Sequence, residues 1–416
     1  MGRPVSCIRL LLVSSICVPA AVIAGAHALS SATWRQAPDF AVVIFPFNGL
    51  AHERLSYRRF VEQVRREIGK SSLGKDANGI VQPTANQPTL SSDADIENFA
   101  RSAKRAVKKT LKLEPLSPKA YALLALSEDN PTRRRRIILL GARASRRDIS
   151  VQMLALRERA LINDYSGAIV TLDQILRVHP KRQSDFFPIL RDALRRDETT
   201  LAFINMLKEP TPWRDRFLIF AAADKASRPN LANIRRRIYL DNKLFDQLLV
   251  QGLVEDGQIQ LAGRVYRFVS KAPTKGSMFG SSKWISVFPP FDWLFTNRPG
   301  LRAQPSEAGE KLHVNVEPGD GGTIASRLLP APSVPFSINL SVSGLTISQI
   351  QDTKLSIACW GQSTPFFEQN FASENVEFTI SKMPDCSFLK VSIMTRSWSG
   401  GRALAGTFGA FVVRQR

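Results

Sequence analysis

The chain has little of what most enzyme chemistry needs. Its four histidines, His27, His52, His179 and His313, stand far apart, and no HExxH, GxSxG or CxxC motif occurs. No nucleophile has a base at an activating spacing, so no catalytic residue, no metal ligand set and no cofactor is expected. Carboxylates are outnumbered, 36 Asp and Glu against 57 Lys and Arg, for a net charge of +21. Glu374 and Glu377 could pair only if folding brought them together, and they read as a solvated strand edge. The stretch 69–76 (GKSSLGKD) falls short of a phosphate loop. Asp76 stands where a hydroxyl should meet Mg²⁺, and a helix-like run precedes it. Asp320 in the PGDGG turn is a single carboxylate, a weak basis for calcium.

Long apolar runs are scarce too. Only 10–26 is long and uncharged, which excludes a polytopic membrane protein. Arg3 and Arg9 flank it, and small residues Ala24, Ala26 and Ala28 follow, so 1–28 reads as a signal peptide or membrane anchor. Its length lies at the lower edge of the roughly 17–25 residues that span a bilayer. Either outcome places the rest of the chain in the periplasm, anchored in the inner membrane by 10–26 or released after cleavage. Ile16 ahead of Cys17 argues against lipidation. Cys7 and Cys17 belong to this segment, which leaves Cys359 and Cys386. In an exported chain that pair suggests a structural disulfide, the alternative being two buried free thiols.

What is present changes character near residue 280. Before it, Leu, Ala and Arg recur at helical spacing. Ile96, Phe99, Ala103 and Val107 make one amphipathic face, and Ser117-Pro118 starts a further helix. A helix is expected over 57–68 with Ser56 as its cap. Helical pairs continue to 258–270, punctuated by Pro210 and Pro212. After 280 come short alternating runs at 284–288, 312–316, 323–329, 336–342, 354–360, 375–380, 388–394 and 407–413, broken by Gly, Pro and Ser. The expected organisation is a lead-in and loop over 29–94, an all-α helical-repeat array over 95–270, a linker over 271–282 and an all-β sandwich or jelly roll over 283–416. The positive charge is uneven. Residues 101–243 hold 31 Lys and Arg against 15 Asp and Glu, whereas 281–416 hold 12 against 10.

The helices over 147–180 resemble a tetratricopeptide repeat, through Asn163-Asp164-Tyr165, Ala168, Leu172, Ile175 and Pro180. The pair before it begins about 31 residues earlier, near that family's period of ~34, but lacks the usual tryptophan and glycine. The β-region resembles the galactose-binding-like jelly rolls that serve as carbohydrate-binding modules. The resemblance lies in Phe291-Asp292-Trp293, the run 312–316, the turn 318–322, Cys359-Trp360 and Cys386. The whole is similar to an uncharacterised group of alphaproteobacterial repeat proteins, sharing Pro212-Trp213 and the cysteine pair, and that group brings no activity with it.

These resemblances imply a non-catalytic envelope scaffold. Its repeats would bind a partner protein and its sandwich a glycan, in polysaccharide assembly or export, with a single N-terminal membrane contact and no nucleic acid. Sugar rings stack on aromatic faces, which singles out Trp360, Phe366, Phe367 and Trp398, with Gln362, Gln369 and Asn370 as hydroxyl partners. The same aromatics equally suit a core. The alternatives are a polysaccharide-active enzyme built on the sandwich, or a basic surface that binds anionic lipid or acidic polysaccharide.

Overall fold

The computed structural model describes residues 5–71, 93–270 and 279–416. Most of the phosphate-loop-like stretch and residues 271–278 of the expected linker lie outside them. The chain forms two compact units, Met1–Phe186 and Phe187–Arg416. The compact units therefore divide well before the change in composition near 280, and the later helices belong with the sandwich.

The first unit is helical: α1 Val5–Thr33, α2 Pro38–Ile44, α3 Gly49–Ser71, α4 Asp93–Leu113, α5 Pro118–Leu126, α6 Pro131–Ala144, α7 Ile149–Leu161 and α8 Tyr165–Val178. No helix among the described residues is long and apolar enough to cross a membrane. The starts of α5 to α8 are set by side-chain caps. Ser117 accepts from Ala120 N, Asn130 from Arg133 N, Asp148 from Ser150 and Val151 N, and Asp164 from Gly167 N. Pro118 and Pro131 follow two of these caps, where a missing N–H costs nothing. The caps of α5 and α7 recur at about 31 residues, a spacing that repeats one helical pair after another. From α3 to α8 each helix packs on its successor. At Gly141 a Cβ would lie 2.6 Å from Tyr121 Cβ and 2.8 Å from Val151 Cγ2, so α5, α6 and α7 meet there only around a glycine. Ser56 is not a cap: α3 starts at Gly49, and Ser56 is buried within it. The helix starts further upstream because Asn48 caps it, its Oδ1 accepting from Ala51 N at 3.1 Å, and within α3 the Glu53 carboxylate accepts from Ser117 Oγ at 2.5 Å. Burial pushes that carboxyl above its ordinary pKa.

α9 Gln183–Leu194 crosses into the second unit, followed by α10 Thr200–Lys208, α11 Arg214–Ala222, α12 Arg228–Arg235, α13 Lys243–Glu255 and α14 Ile259–Val269. Phe203, Trp213, Phe217 and Leu249 are fully buried among these helices. Arg235 and Asp246 are buried too and form a bidentate pair of 2.6 and 2.9 Å, while Arg235 also donates to the carbonyls of Ile238 and Leu240.

The strands are β1 Gly280–Ser282, β2 Leu294–Phe295, β3 Asn297–Arg298, β4 Leu301–Pro305, β5 Leu312–Val316, β6 Gly321–Pro330, β7 Phe336–Ser343, β8 Lys354–Cys359, β9 Phe367–Asn370, β10 Asn375–Ile380, β11 Phe388–Arg396, β12 Leu404–Phe408 and β13 Phe411–Gln415, with α15 Ile347–Gln351 after β7. All pairings are antiparallel. One sheet runs β1-β13-β7-β12-β5-β4-β3 with β10 also on β7, and the other runs β2-β6-β11-β8-β9. Their facing sides bury Trp293, Leu312, Phe336, Ile357, Val391 and Phe411. The fold class is therefore helices followed by an antiparallel two-sheet sandwich.

The alternating run 284–288 is not a strand. Asp292 accepts from Phe288 N at 2.9 Å and Trp293 N bonds to Ile285 O at 2.9 Å, which closes a local loop in place of a ladder. The run 407–413 is two strands joined at Gly409–Ala410. Within this unit α14 packs directly on the sandwich. Tyr266 donates to Asp292 at 2.9 Å and stacks on Phe291 at 5.0 Å, and a Cβ at Gly263 would lie 2.7 Å from Phe388 Cζ. Burial, followed by the Asp292 charge, raises the Tyr266 pKa.

Candidate functional site

Of the aromatic residues singled out for sugar stacking, Trp398 stands apart from Trp360. β8 and β11 are antiparallel, with Leu389 opposite Cys359 and Met394 opposite Lys354. Trp360 follows one end of β8 and its N–H bonds to Phe388 O at 2.9 Å. Trp398 follows the opposite end of β11. At ~3.3 Å per residue the length of β11, about 26 Å, separates the two along the sheet. Phe366 and Phe367 are half-buried and pack against the sandwich core, and Phe367 meets Phe378 edge-on at 6.3 Å. Gln362, Gln369 and Asn370 are exposed, and Asn370 donates to Gln351 O at 2.9 Å. Trp398 is 55% exposed. Arg396 covers one face of its ring at 4.1 Å, and its Nε1 donates to Asp352 at 2.9 Å, so one ring face remains for a ligand.

Cys359 and Cys386 are joined in a disulfide across 27 residues of sequence. It ties the end of β8 to the segment entering β11. Asp320 is not a cation site awaiting calcium. Arg298 already sits on its carboxylate at 2.8 Å and also donates to Gly321 O at 3.0 Å. Among the described residues no three metal-ligating side chains of His, Cys, Asp or Glu converge.

A polar cavity of the sandwich lies elsewhere, on the outer face of the eight-stranded sheet. It is a trough of about 520 Å³. Strand register builds it. Leu301, Ala303, Leu312, Val314, Val316 and Leu404 point into the core, so Arg302, Gln304, His313, Asn315, Ala405 and Thr407 point outward. Pairing then aligns them in two rows. Arg302 lies opposite Asn315, which lies opposite Ala405; Gln304 lies opposite His313, which lies opposite Thr407, which lies opposite Ser343. His313 Nδ1 is 3.2 Å from Thr407 Oγ1, which fixes the ring against the sheet. The floor is low because Ala405 is small and Gly406 has its back to the core. A Cβ at Gly406 would meet Leu345 Cδ2 at 2.4 Å. No carboxylate lines the trough. Its polar groups both donate and accept, with one guanidinium at the end.

Periodicity alone put His313 and Asn315 on a polar strand face, but the trough is assembled from β4, β5, β7 and β12. Nothing local in the sequence brings those four together.

Among family models and curated proteins none matches the sequence. Among the solved structures similar to part of the chain are two that match over a third of it. Accessory secretory protein 1, 2 and 3 of Streptococcus pneumoniae is 14% identical with a TM-score of 0.23, over 33% of this chain and 96% of that one. The carbohydrate-binding module TmCBM61, solved with β-1,4-galactotriose, is 11% identical with a TM-score of 0.22, over 33% of this chain and 100% of that one. At these scores neither likeness bears on function.

Proposed function

We propose that this protein is a non-catalytic binding scaffold of the cell envelope, and that its sandwich holds a glycan in the trough on the eight-stranded sheet. The observation that carries the reading is the composition of that trough. Gln304, His313, Asn315, Thr407 and Ser343 present groups that donate and accept, as sugar hydroxyls do. The low floor at Ala405 and Gly406 leaves room for a ring to lie against the sheet. Arg302 is placed for an acidic substituent, because its planar fork suits a carboxylate. The aromatic residues near β8 and β9 support a sugar less well, since two of them pack on the core.

The helical unit is the protein-binding part. Its capped helical pairs recur at a spacing near that of tetratricopeptide repeats, and such arrays present grooves to partner proteins. The export-like N-terminus and the disulfide fit a periplasmic setting, where a scaffold joining a glycan to a partner would serve polysaccharide assembly or export.

A glycan array probed with the full chain and with Arg302→Ala/Asn315→Ala tests the reading. The expected result is retention of a restricted set of oligosaccharides by the parent and loss of that set by the double variant. Equal retention by both places binding outside the trough and overturns the assignment.

A further inference from the structure

The helical unit contains a cleft that glycan binding does not use. It lies between α6, α7 and α8 and has a volume of about 180 Å³. That is room for roughly six waters at ~30 Å³ each, or for the end of one side chain. Leu139, Ala142, Ala155 and Ile162 give it an aliphatic lining, and four arginines reach it: Arg135, Arg143, Arg146 and Arg159.

Two of those arginines are already occupied. Arg135 Nε lies 3.6 Å from Glu158. Arg159 donates to Thr171 Oγ1 at 2.8 Å and to Gly167 O, and its Nε lies 3.9 Å from Asp164, which itself caps α8. Both carboxylates in the lining are thereby neutralised within the fold. Arg143 and Arg146 are exposed and are held in no ion pair among the described residues. The turn that carries Arg146 is nevertheless fixed. Gln152, 2% exposed, donates to Ala142 O at 2.9 Å and to Ser145 O at 3.0 Å. The cleft thus offers two uncompensated guanidiniums on a pinned turn, beside an apolar wall.

We propose that this cleft binds an acidic segment of a partner polypeptide. Arg143 and Arg146 take an Asp or Glu carboxylate, and the neighbouring aliphatic side chain lies on Leu139 and Ile162. The proposal rests on the reading of the helical unit as protein-binding and names the chemistry of that contact. A polypeptide fits better than a polysaccharide because the aliphatic wall of Leu139, Ala142, Ala155 and Ile162 beside the arginines suits an apolar side chain next to a carboxylate. A recessed cleft of this size also suits one side chain better than a flat lipid surface.

The test is fluorescence anisotropy of the full chain with a short labelled peptide of alternating Glu and Leu. Comparisons are the same peptide with Gln for Glu, polyglucuronate, and phosphatidylglycerol vesicles. The Glu peptide is expected to bind, and to weaken roughly tenfold or more with the Gln peptide and with Arg143→Gln/Arg146→Gln. The double variant should keep the parent's circular dichroism and thermal midpoint, because neither side chain supports the fold. Leu139→Asn should weaken the Glu-Leu peptide more than a Glu-Ser peptide. Binding of the Gln peptide as tightly as the Glu peptide overturns the proposal, as does unchanged binding by the double variant. Binding of polyglucuronate or vesicles without the peptide overturns it in favour of a different anion. If a crosslinked partner protein still maps to 131–178 while the Glu peptide fails to bind, the acidic contact falls and the protein-binding reading stands.

Discussion

At the scale of single residues, charge has two distinct uses in this chain. Some arginines are structural. Arg235 with Asp246 is a buried pair that also satisfies two carbonyls, so Asp246→Asn leaves a buried guanidinium short of its counter-charge. A loss of about 3–5 kcal/mol in unfolding free energy is expected by urea denaturation. Arg195 with Asp224 is nearer the surface. The hydrogen bond from Arg195 is the largest cause holding the Asp224 pKa at about 2, below the usual 3.8. A carboxyl depressed in the folded state contributes its stability above the unfolded value and loses it as pH falls through the folded one. Asp224→Asn should therefore cost about 1 kcal/mol at neutral pH, and the gap to the parent should close as pH falls from about 4 towards 2. Other polar residues face outward and serve a ligand instead. Arg302→Ala should weaken glycan binding by about 1.5–3 kcal/mol, and Asn315→Ala by about 1 kcal/mol, with no change in thermal midpoint. Titration calorimetry measures both.

At the scale of elements, what the sequence discloses depends on whether one pattern governs the segment. Runs 312–316 and 375–380 alternate strictly and one face is buried, so their bounds are those of β5 and β10. Ser117-Pro118 locates α5 to the residue, because a cap and a proline act locally. By contrast 284–288 alternates without being a strand, since Asp292 captures Phe288 N. β4 and β9 are short and rich in polar residues, and pairing with longer neighbours makes them strands. The trough shares this origin: its residues are separated by up to about a hundred positions and meet only through register. In the stretch 360–370 the aromatic pattern serves packing as well, since Phe366 and Phe367 lie half-buried against the core. The cysteine pair was legible from its setting and does form the bridge. Cys359→Ser/Cys386→Ser should lower unfolding free energy by roughly 3–4 kcal/mol in the chain-entropy account. Chemical denaturation in the absence of reductant checks this. A loss below about 1 kcal/mol would mean that the β8 end is already held by its ladder.

At the scale of the whole molecule, the helices before residue 270 are not interchangeable. Those from Phe187 onward share a compact unit with the sandwich, and α14 covers Phe291 and Phe388 through Gly263 and Tyr266. A cut at 271–282, where composition changes, would expose that aromatic contact. The fragment 183–416 should therefore unfold in one transition, whereas 283–416 should melt several degrees lower or aggregate; scanning calorimetry of both decides. Equal midpoints would show that the contact with α14 adds nothing. Positive charge then falls mainly on helices of both units and little on the sandwich. Screening by salt should weaken what the helices bind much more than what the trough binds.

The central claim is that a sugar lies on the outer face of the eight-stranded sheet. Amide chemical-shift mapping of the isotopically labelled full chain, titrated with an oligosaccharide retained on the array, examines that claim most directly. Saturable shifts at Gln304, His313, Asn315 and Thr407, with Trp360 and Phe366 unmoved, are the predicted result. Shifts centred on Trp360, Phe366 and Trp398, with the trough silent, would contradict it.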